Sequence, residues 1–120
     1  MTKPAAILED LTPEQVANLL ADRKILLVDV REPDEYAAQR IQGAVLFPLS
    51  SLDTSMLPPD GQRRVVFQCG SGKRSEAAAR AHLAGGAPRA AHLAGGIAAW
   101  LAAGLPVLRI DPDTGKPVSR

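Results

Sequence analysis

Val65-Val66-Phe67-Gln68-Cys69-Gly70-Ser71-Gly72-Lys73-Arg74-Ser75 begins as a short apolar run, passes through a thiol and a glycine-rich turn, and ends where an Ala-rich segment starts. A run this short and this uniformly apolar reads as a buried strand, and the Ala-rich segment beyond the turn reads as a helix. In open parallel sheets ligands bind beyond the carboxyl ends of the strands, which is where Cys69 is expected to emerge. Gly70, Ser71 and Gly72 are small enough for a tight curl whose backbone N–H groups point inward. Capped by the N-terminus of the next helix, that curl is a nest for an anion. Such surroundings, with Lys73 and Arg74 adjacent, bring a cysteine pKa from about 8.5 into roughly the 3.5–7.5 range. Cys69 is therefore expected to be a thiolate at neutral pH and to act as a nucleophile. A lone cysteine is more often a small inert core residue, but an inert one has no use for the glycines and cations that come after Cys69.

The same apolar pattern recurs on either side. Residues 25–30, 44–47 and, more weakly, 90–93 read as further strands. Helices are expected over 33–40, 75–84 and 97–103, the last two ending at glycines suited to left-handed caps. An earlier helix starts at Thr12, Pro13 and Gln15, which have the chemistry of a capping box, and Val16, Leu19 and Leu20 share one of its faces. Strands that are apolar on both faces and alternate with helices imply an α/β fold, with a small, mostly parallel sheet flanked by helices on both faces. Residues 50–61 read as a loop with one helical turn. The stretch from residue 109 to 120 is polar, rich in turn residues, and expected to be irregular and partly mobile. Ala-His-Leu-Ala-Gly-Gly occurs at 81–86 and again at 91–96, but one copy completes a helix and the other begins where a strand is due. Structural repeats have longer periods, so this one is read as coincidence.

Composition narrows the function. The 120 residues suffice for one domain, and a formal net charge of +1 leaves no basic stripe for nucleic acid or a membrane surface. Aromatic residues make up 3%, too few for base-stacking platforms. One cysteine with two histidines, His82 and His92, offers no zinc-like ligand spacing, so neither a metal nor another cofactor is expected. Both histidines read as structural or surface residues, which removes the positioned base that a cysteine protease needs. Met1 to Asp10 lacks the pattern of a secretory signal and no run reaches membrane-spanning length, so a cytoplasmic protein is expected.

Four segments in order resemble the rhodanese family. Leu27-Val28-Asp29-Val30-Arg31-Glu32-Pro33-Asp34-Glu35-Tyr36 is similar to its first signature, and Arg40-Ile41-Gln42-Gly43-Ala44 to its second, with Arg40 where a histidine is more usual. Cys69 to Ser75 resembles the active-site loop. Leu93-Ala94-Gly95-Gly96-Ile97 with Trp100 and Gly104-Leu105-Pro106-Val107 resembles the C-terminal signature. The resemblance implies a rhodanese domain over residues 8–107, followed by a polar tail over 108–120. The loop's Gly-Lys-Arg-Ser ending and the stretch after Pro106 are also similar to rhodanese domains that precede a membrane anchor in longer proteins.

The resemblance implies transfer of a sulfane sulfur, commonly from thiosulfate, through a persulfide to a thiol acceptor or to cyanide. It implies a small thiol or a thioredoxin-like protein as that acceptor. Carried onto this sequence, Cys69 is the nucleophile and the N–H groups of Gly70, Ser71, Gly72, Lys73 and Arg74 hold the transferred sulfur. Lys73 offers a charge to the anionic donor, and Arg74 either does the same or ties the loop to a carboxylate. Asp29, Arg31 and Ser75 are supporting residues. Asp29, Arg31 and Glu32 either orient the loop or close structural ion pairs, with the structural role favoured, and Trp100 is read as core packing. One rival is a module that binds a partner or passively delivers sulfur. Another is a phosphatase of the same fold, whose loop has five residues between Cys and Arg, whereas four separate Cys69 from Arg74.

Overall fold

The computed structural model describes residues 7–59, 61 and 63–119. Along the chain these form β1 (Ile7–Leu11), α1 (Pro13–Ala21), β2 (Ile25–Asp29), α2 (Pro33–Ala38), β3 (Gln39–Arg40), β4 (Val45–Leu46), β5 (Arg64–Gln68), α3 (Lys73–Ala84), β6 (Arg89–Leu93), α4 (Gly96–Ala102), β7 (Leu108–Ile110) and β8 (Pro117–Ser119). Five strands make one sheet in the order β1-β6-β5-β2-β4, every pair parallel. The expected α/β class is what the chain adopts.

Alternation along the central strands divides the apolar residues between two faces. Ile25 and Leu27 of β2, Val66 of β5 and Ala91 and Leu93 of β6 pack with Val16 of α1 and with Ile97 and Trp100 of α4. Val28, Val65, Phe67 and Ala90 point the other way and pack with Ala78 and Ala79 of α3, together with Cys69. Both faces are covered, which is why β2 and β5 read as continuous apolar runs. α1 starts as its sequence dictates: Thr12 Oγ1 accepts from the Gln15 N–H at 3.2 Å, and the Gln15 side chain accepts from the Thr12 N–H at 2.9 Å. No helix among the described residues is long and apolar enough to cross a membrane.

Several expectations are corrected. The helix read over 33–40 stops at Ala38, because Gln39 is extended (φ −160°, ψ 133°) and residues 39–40 pair antiparallel with β7. The tail is not irregular throughout: β7 and β8 form a hairpin whose other neighbour is β3. Three-residue strands are too short to show a period, so nothing in their apolar content could announce them. β1 also escapes the sequence reading. It lies at the sheet edge with Glu9 and Asp10 inside it, and its residues are only partly covered. The loop read over 50–61 overlaps two 3-10 turns, Leu49–Ser51 and Thr54–Met56, rather than one. α3 begins at Lys73, two residues earlier than expected, so Lys73 and Arg74 belong to its first turn. At its other end Gly85 stays right-handed (φ −78°) and Gly86 takes the left-handed position (φ 110°).

Just past β2 the chain buries an ion pair. The Asp29 carboxylate accepts from the Arg31 backbone N–H at 3.0 Å, from its Nε at 3.0 and 3.1 Å, and from its Nη2 at 2.8 Å. Nη2 also donates to the Gln39 carbonyl at 2.6 Å, which joins the end of β2 to the end of α2. Asp29 is fully buried and Arg31 nearly so. Asp29→Ala would leave the guanidinium buried without its counter-charge and is expected to cost about 3–5 kcal/mol. Urea unfolding checks this; an unshifted midpoint would show that Arg31 finds water or another acceptor.

Candidate active site

The site is a loop strung between β5 and α3 and clamped by α4. Cys69 is the first residue after β5, and its side chain is buried under the loop. Its Sγ accepts from the Gly72 N–H at 3.1 Å and from the Ser75 N–H at 3.2 Å, and the Ser75 hydroxyl lies 3.5 Å away. Of the N–H groups from Gly70 to Arg74 expected to hold the sulfur, that of Gly72 donates to Sγ; that of Ser75 is not among them. Burial is the largest single influence on the Cys69 thiol and would push its pKa up. It is outweighed by the Ser75 hydroxyl and the N–H groups of Ser75, Gly72 and Ser71, so the pKa falls below the ordinary thiol value.

The curl depends on glycine at two places. Gly72 has φ 101°, and a Cβ there would lie 3.1 Å from the Gly95 backbone nitrogen. At Gly96 (φ 61°) a Cβ would overlap the Cys69 carbonyl oxygen and come within 2.6 Å of the Gly70 carbonyl group. With neither present, α4 reaches the loop: the Ile97 N–H donates to the Cys69 carbonyl at 2.8 Å and the Ala98 N–H to the Gly70 carbonyl at 3.1 Å. The Gln68 side chain adds a third clasp, Nε2 donating to the Cys69 carbonyl at 2.6 Å. Trp100 is packed in the core as expected, its indole N–H donating to the Pro106 carbonyl at 2.8 Å.

The cations separate. Lys73 is exposed at the first residue of α3, beside the exposed Ser71. Arg74 pairs with Glu35 of α2, Nη1 to Oε1 at 2.7 Å and Nη2 to Oε2 at 3.0 Å, a carboxylate tie of the kind that is one of its two readings. That guanidinium is the main reason the Glu35 pKa is lowered to about 2; partial burial opposes it and the Glu32 N–H assists it. Glu35 also closes the N-terminus of α2, accepting from the Glu32 N–H at 3.0 Å, while Glu32 accepts from the Ser50 hydroxyl. The side-chain bonds of Arg31 go to Asp29 and Gln39, which makes that pair a brace for the neighbouring strand end.

His92 lies on a strand, as expected, but its partners are not foreseen by the sequence. It is buried on β6, on the face covered by α3, with Nδ1 2.8 Å from Ser75 Oγ and Nε2 2.7 Å from Asp10 Oδ1. A structural or surface role for His92 leaves out this link to the cysteine, and Asp10 escapes with it because β1 is not legible as a strand. The usable signal is a polar residue near the carboxyl end of a strand, followed by two glycines.

Comparison with known proteins agrees with this architecture. The family model for the rhodanese-like domain matches residues 12–103. A sulfurtransferase of Allochromatium vinosum is 35% identical over 103 residues, 85% of this chain and 96% of that one. An uncharacterised protein of Synechocystis sp. is 36% identical over 99 residues, 82% of this chain and 55% of that one, so the chain spans about half the length of this relative. The crystal structure of thiosulfate sulfurtransferase from Pseudomonas aeruginosa matches with a TM-score of 0.75 at 31% identity, over 83% of this chain and 20% of that one. With the strand, loop and helix in place around Cys69, the match across most of its length shows that the chain belongs to the rhodanese-like domain family and is related to sulfurtransferases.

Proposed function

We propose that the protein is a sulfurtransferase that moves a sulfane sulfur from thiosulfate or a related anionic donor to a thiol, or to cyanide, through a persulfide on Cys69. The observation that carries this reading is the Cys69 sulfur held by two backbone N–H groups at the end of a parallel strand, with its thiol pKa lowered despite burial. The thiolate attacks the outer sulfur of thiosulfate, the donor's S–S bond breaks with its electron pair, and sulfite departs. An acceptor thiolate, from a small thiol or a thioredoxin-like protein, then attacks the outer persulfide sulfur and returns Cys69 as thiolate. Because the thiol is buried, residues 70–72 must yield to admit the donor, and they carry little side chain to move. Lys73 draws the anion toward the loop. Arg74, committed to Glu35, supports the loop and is not turned toward a ligand. That commitment, with four residues between Cys69 and Arg74, speaks for sulfur transfer rather than phosphate-ester hydrolysis. A free thiol of this reactivity suits a reducing compartment such as the cytoplasm.

Three outcomes are expected. Intact mass after thiosulfate treatment gains one sulfur atom in the natural protein and none in Cys69→Ser, and that variant has no transfer above the uncatalysed rate; turnover in it, or aryl phosphatase activity without sulfur uptake, would overturn the reading. Lys73→Ala raises the thiosulfate KM by up to about fivefold, as suits an exposed contact worth about 1 kcal/mol or less, and flattens its salt dependence. A KM that does not move would make Lys73 a solvated side chain only.

The third concerns Glu35, whose pKa in the folded protein is about 2 against an ordinary 4.5. A carboxylate lowered on folding stabilises the folded state above its ordinary pKa and loses that contribution as the pH falls through its folded value. Glu35→Gln should therefore remove the part of the acid-induced loss of stability that falls between about pH 4.5 and 2. Both partners are partly exposed, so the effect is modest. Unfolding midpoints across that window check it, and parallel profiles for the two proteins would show that the tie contributes nothing.

A further inference from the structure

A line of hydrogen bonds runs from the Cys69 sulfur to the edge of the sheet. Sγ lies 3.5 Å from Ser75 Oγ, which lies 2.8 Å from His92 Nδ1, and His92 Nε2 lies 2.7 Å from Asp10 Oδ1. Ser75 and His92 are buried, whereas the Asp10 side chain is 67% exposed. The sulfur-transfer chemistry set out above makes no use of His92 or Asp10.

We propose that Ser75, His92 and Asp10 are the proton acceptor of Cys69: the thiol ionises by passing its proton through the Ser75 hydroxyl to the His92 imidazole, and Asp10 holds the resulting imidazolium. The proposal rests on the reading of Cys69 as the nucleophile. An ionised carboxylate can only accept, so Asp10 assigns a proton to Nε2 and leaves Nδ1 of the neutral ring as an acceptor. Nδ1 then takes the Ser75 O–H, which turns an oxygen lone pair toward the Cys69 S–H. Ionisation breaks the S–H bond and forms a new Ser75 O–H, while the former Ser75 proton becomes the Nδ1 proton. A neutral thiol and a neutral ring become a thiolate and an imidazolium, and Ser75 ends as it began. Every heavy atom keeps its partner, with the Ser75 O–H now aimed at the thiolate. The Gly72 carbonyl, 3.2 Å from Ser75 Oγ, competes for that proton in the thiolate state, when the Gly72 N–H donates to the sulfur.

The surroundings of the ring favour this exchange. β1 presents Asp10 to it, α3 presents Ser75, and β5 places Phe67 in register beside it with Cys69 two residues further on. The remaining charged groups nearby are paired elsewhere: Glu9 with Arg64, Arg74 with Glu35 and Glu76 with Arg80, while Lys73 faces solvent. Among the described residues, Asp10 and Cys69 are therefore the titrating groups tied to the imidazole by hydrogen bonds. The second histidine, in the other copy of the same hexapeptide, instead packs on the Phe67 ring edge to face with centroids 5.7 Å apart.

Mutual coupling of the two titrations is the test, because a merely structural histidine has no reason to show it. Cys69 is the only thiol, so the ultraviolet thiolate absorbance that Cys69→Ser abolishes reports it alone. In His92→Gln, the thiolate titration is expected to move up by about one pH unit or more. In Cys69→Ser, the His92 ring, followed by NMR and told from His82 with a His82→Gln control, is expected to titrate lower by a similar amount, since the coupling of two groups is the same seen from either. Asp10→Asn, a surface change that folding tolerates, should move both midpoints in those same directions. A thiolate midpoint unchanged in His92→Gln and in Asp10→Asn, or a His92 titration indifferent to Cys69→Ser, overturns the proposal. If His92→Gln fails to fold, the Asp10→Asn and Cys69→Ser arms decide alone. Sulfur uptake by the natural protein is scored separately: uptake without coupling leaves the sulfur-transfer reading and removes the relay, and coupling without uptake does the reverse.

Discussion

The architecture of the site depends on one close approach, that of the start of α4 to the loop after β5. Two backbone bonds, from the Ile97 and Ala98 N–H groups to the Cys69 and Gly70 carbonyls, fix the direction of the loop's first peptides. Their satisfaction turns the next N–H groups back toward the sulfur, where Gly72 and Ser75 donate. Any side chain at Gly96 would occupy the space these carbonyls need. The thiol is thus shaped by an element more than twenty residues downstream, and the two glycines after β6 are as much part of the site as those after β5.

Much of this is written in the sequence and some of it is not. β2 and β5 are legible because burial on both faces forces continuous apolar runs, and α1 because Thr12 and Gln15 supply a complete capping box. The Cys69 loop is legible because residues 70–72 have no other use after a buried strand. β1, β3, β7 and β8 are not, for the same physical reason: edge or three-residue strands owe their place to backbone pairing, which any side chain can accompany. The early end of α2 comes from this, since residues 39–40 are needed by β7. The role of Arg74 is not readable either, because Glu35 sits on a different helix and only the fold brings the two together.

The repeated hexapeptide shows how little a local string decides. His82 and His92 have identical neighbours from one residue before to four after. Helical geometry in α3 turns His82 against Phe67, whereas β6 turns His92 onto the α3 face between Asp10 and Ser75. The deciding information lies in β1, whose parallel register sets Asp10 opposite His92. A histidine's chemistry is set by which atom its second nitrogen meets, and here that atom belongs to the least legible strand of the sheet.

Neutralising Arg74 has a consequence for the charge on sulfur. With its guanidinium committed to Glu35, the groups that hydrogen-bond directly to the Cys69 sulfur are N–H dipoles and a hydroxyl, with the His92 ring one hydroxyl further off. On the sulfur-transfer reading, the sulfur carries one negative charge in both resting states, first as a thiolate and then on the outer atom of a persulfide. Fixed dipoles serve the two alike, whereas a free cation in the loop would favour the more highly charged donor or the departing sulfite and slow the second half of the cycle. On the same reading, the exposed Lys73, outside the curl, attracts a donor without holding the product against the sulfur.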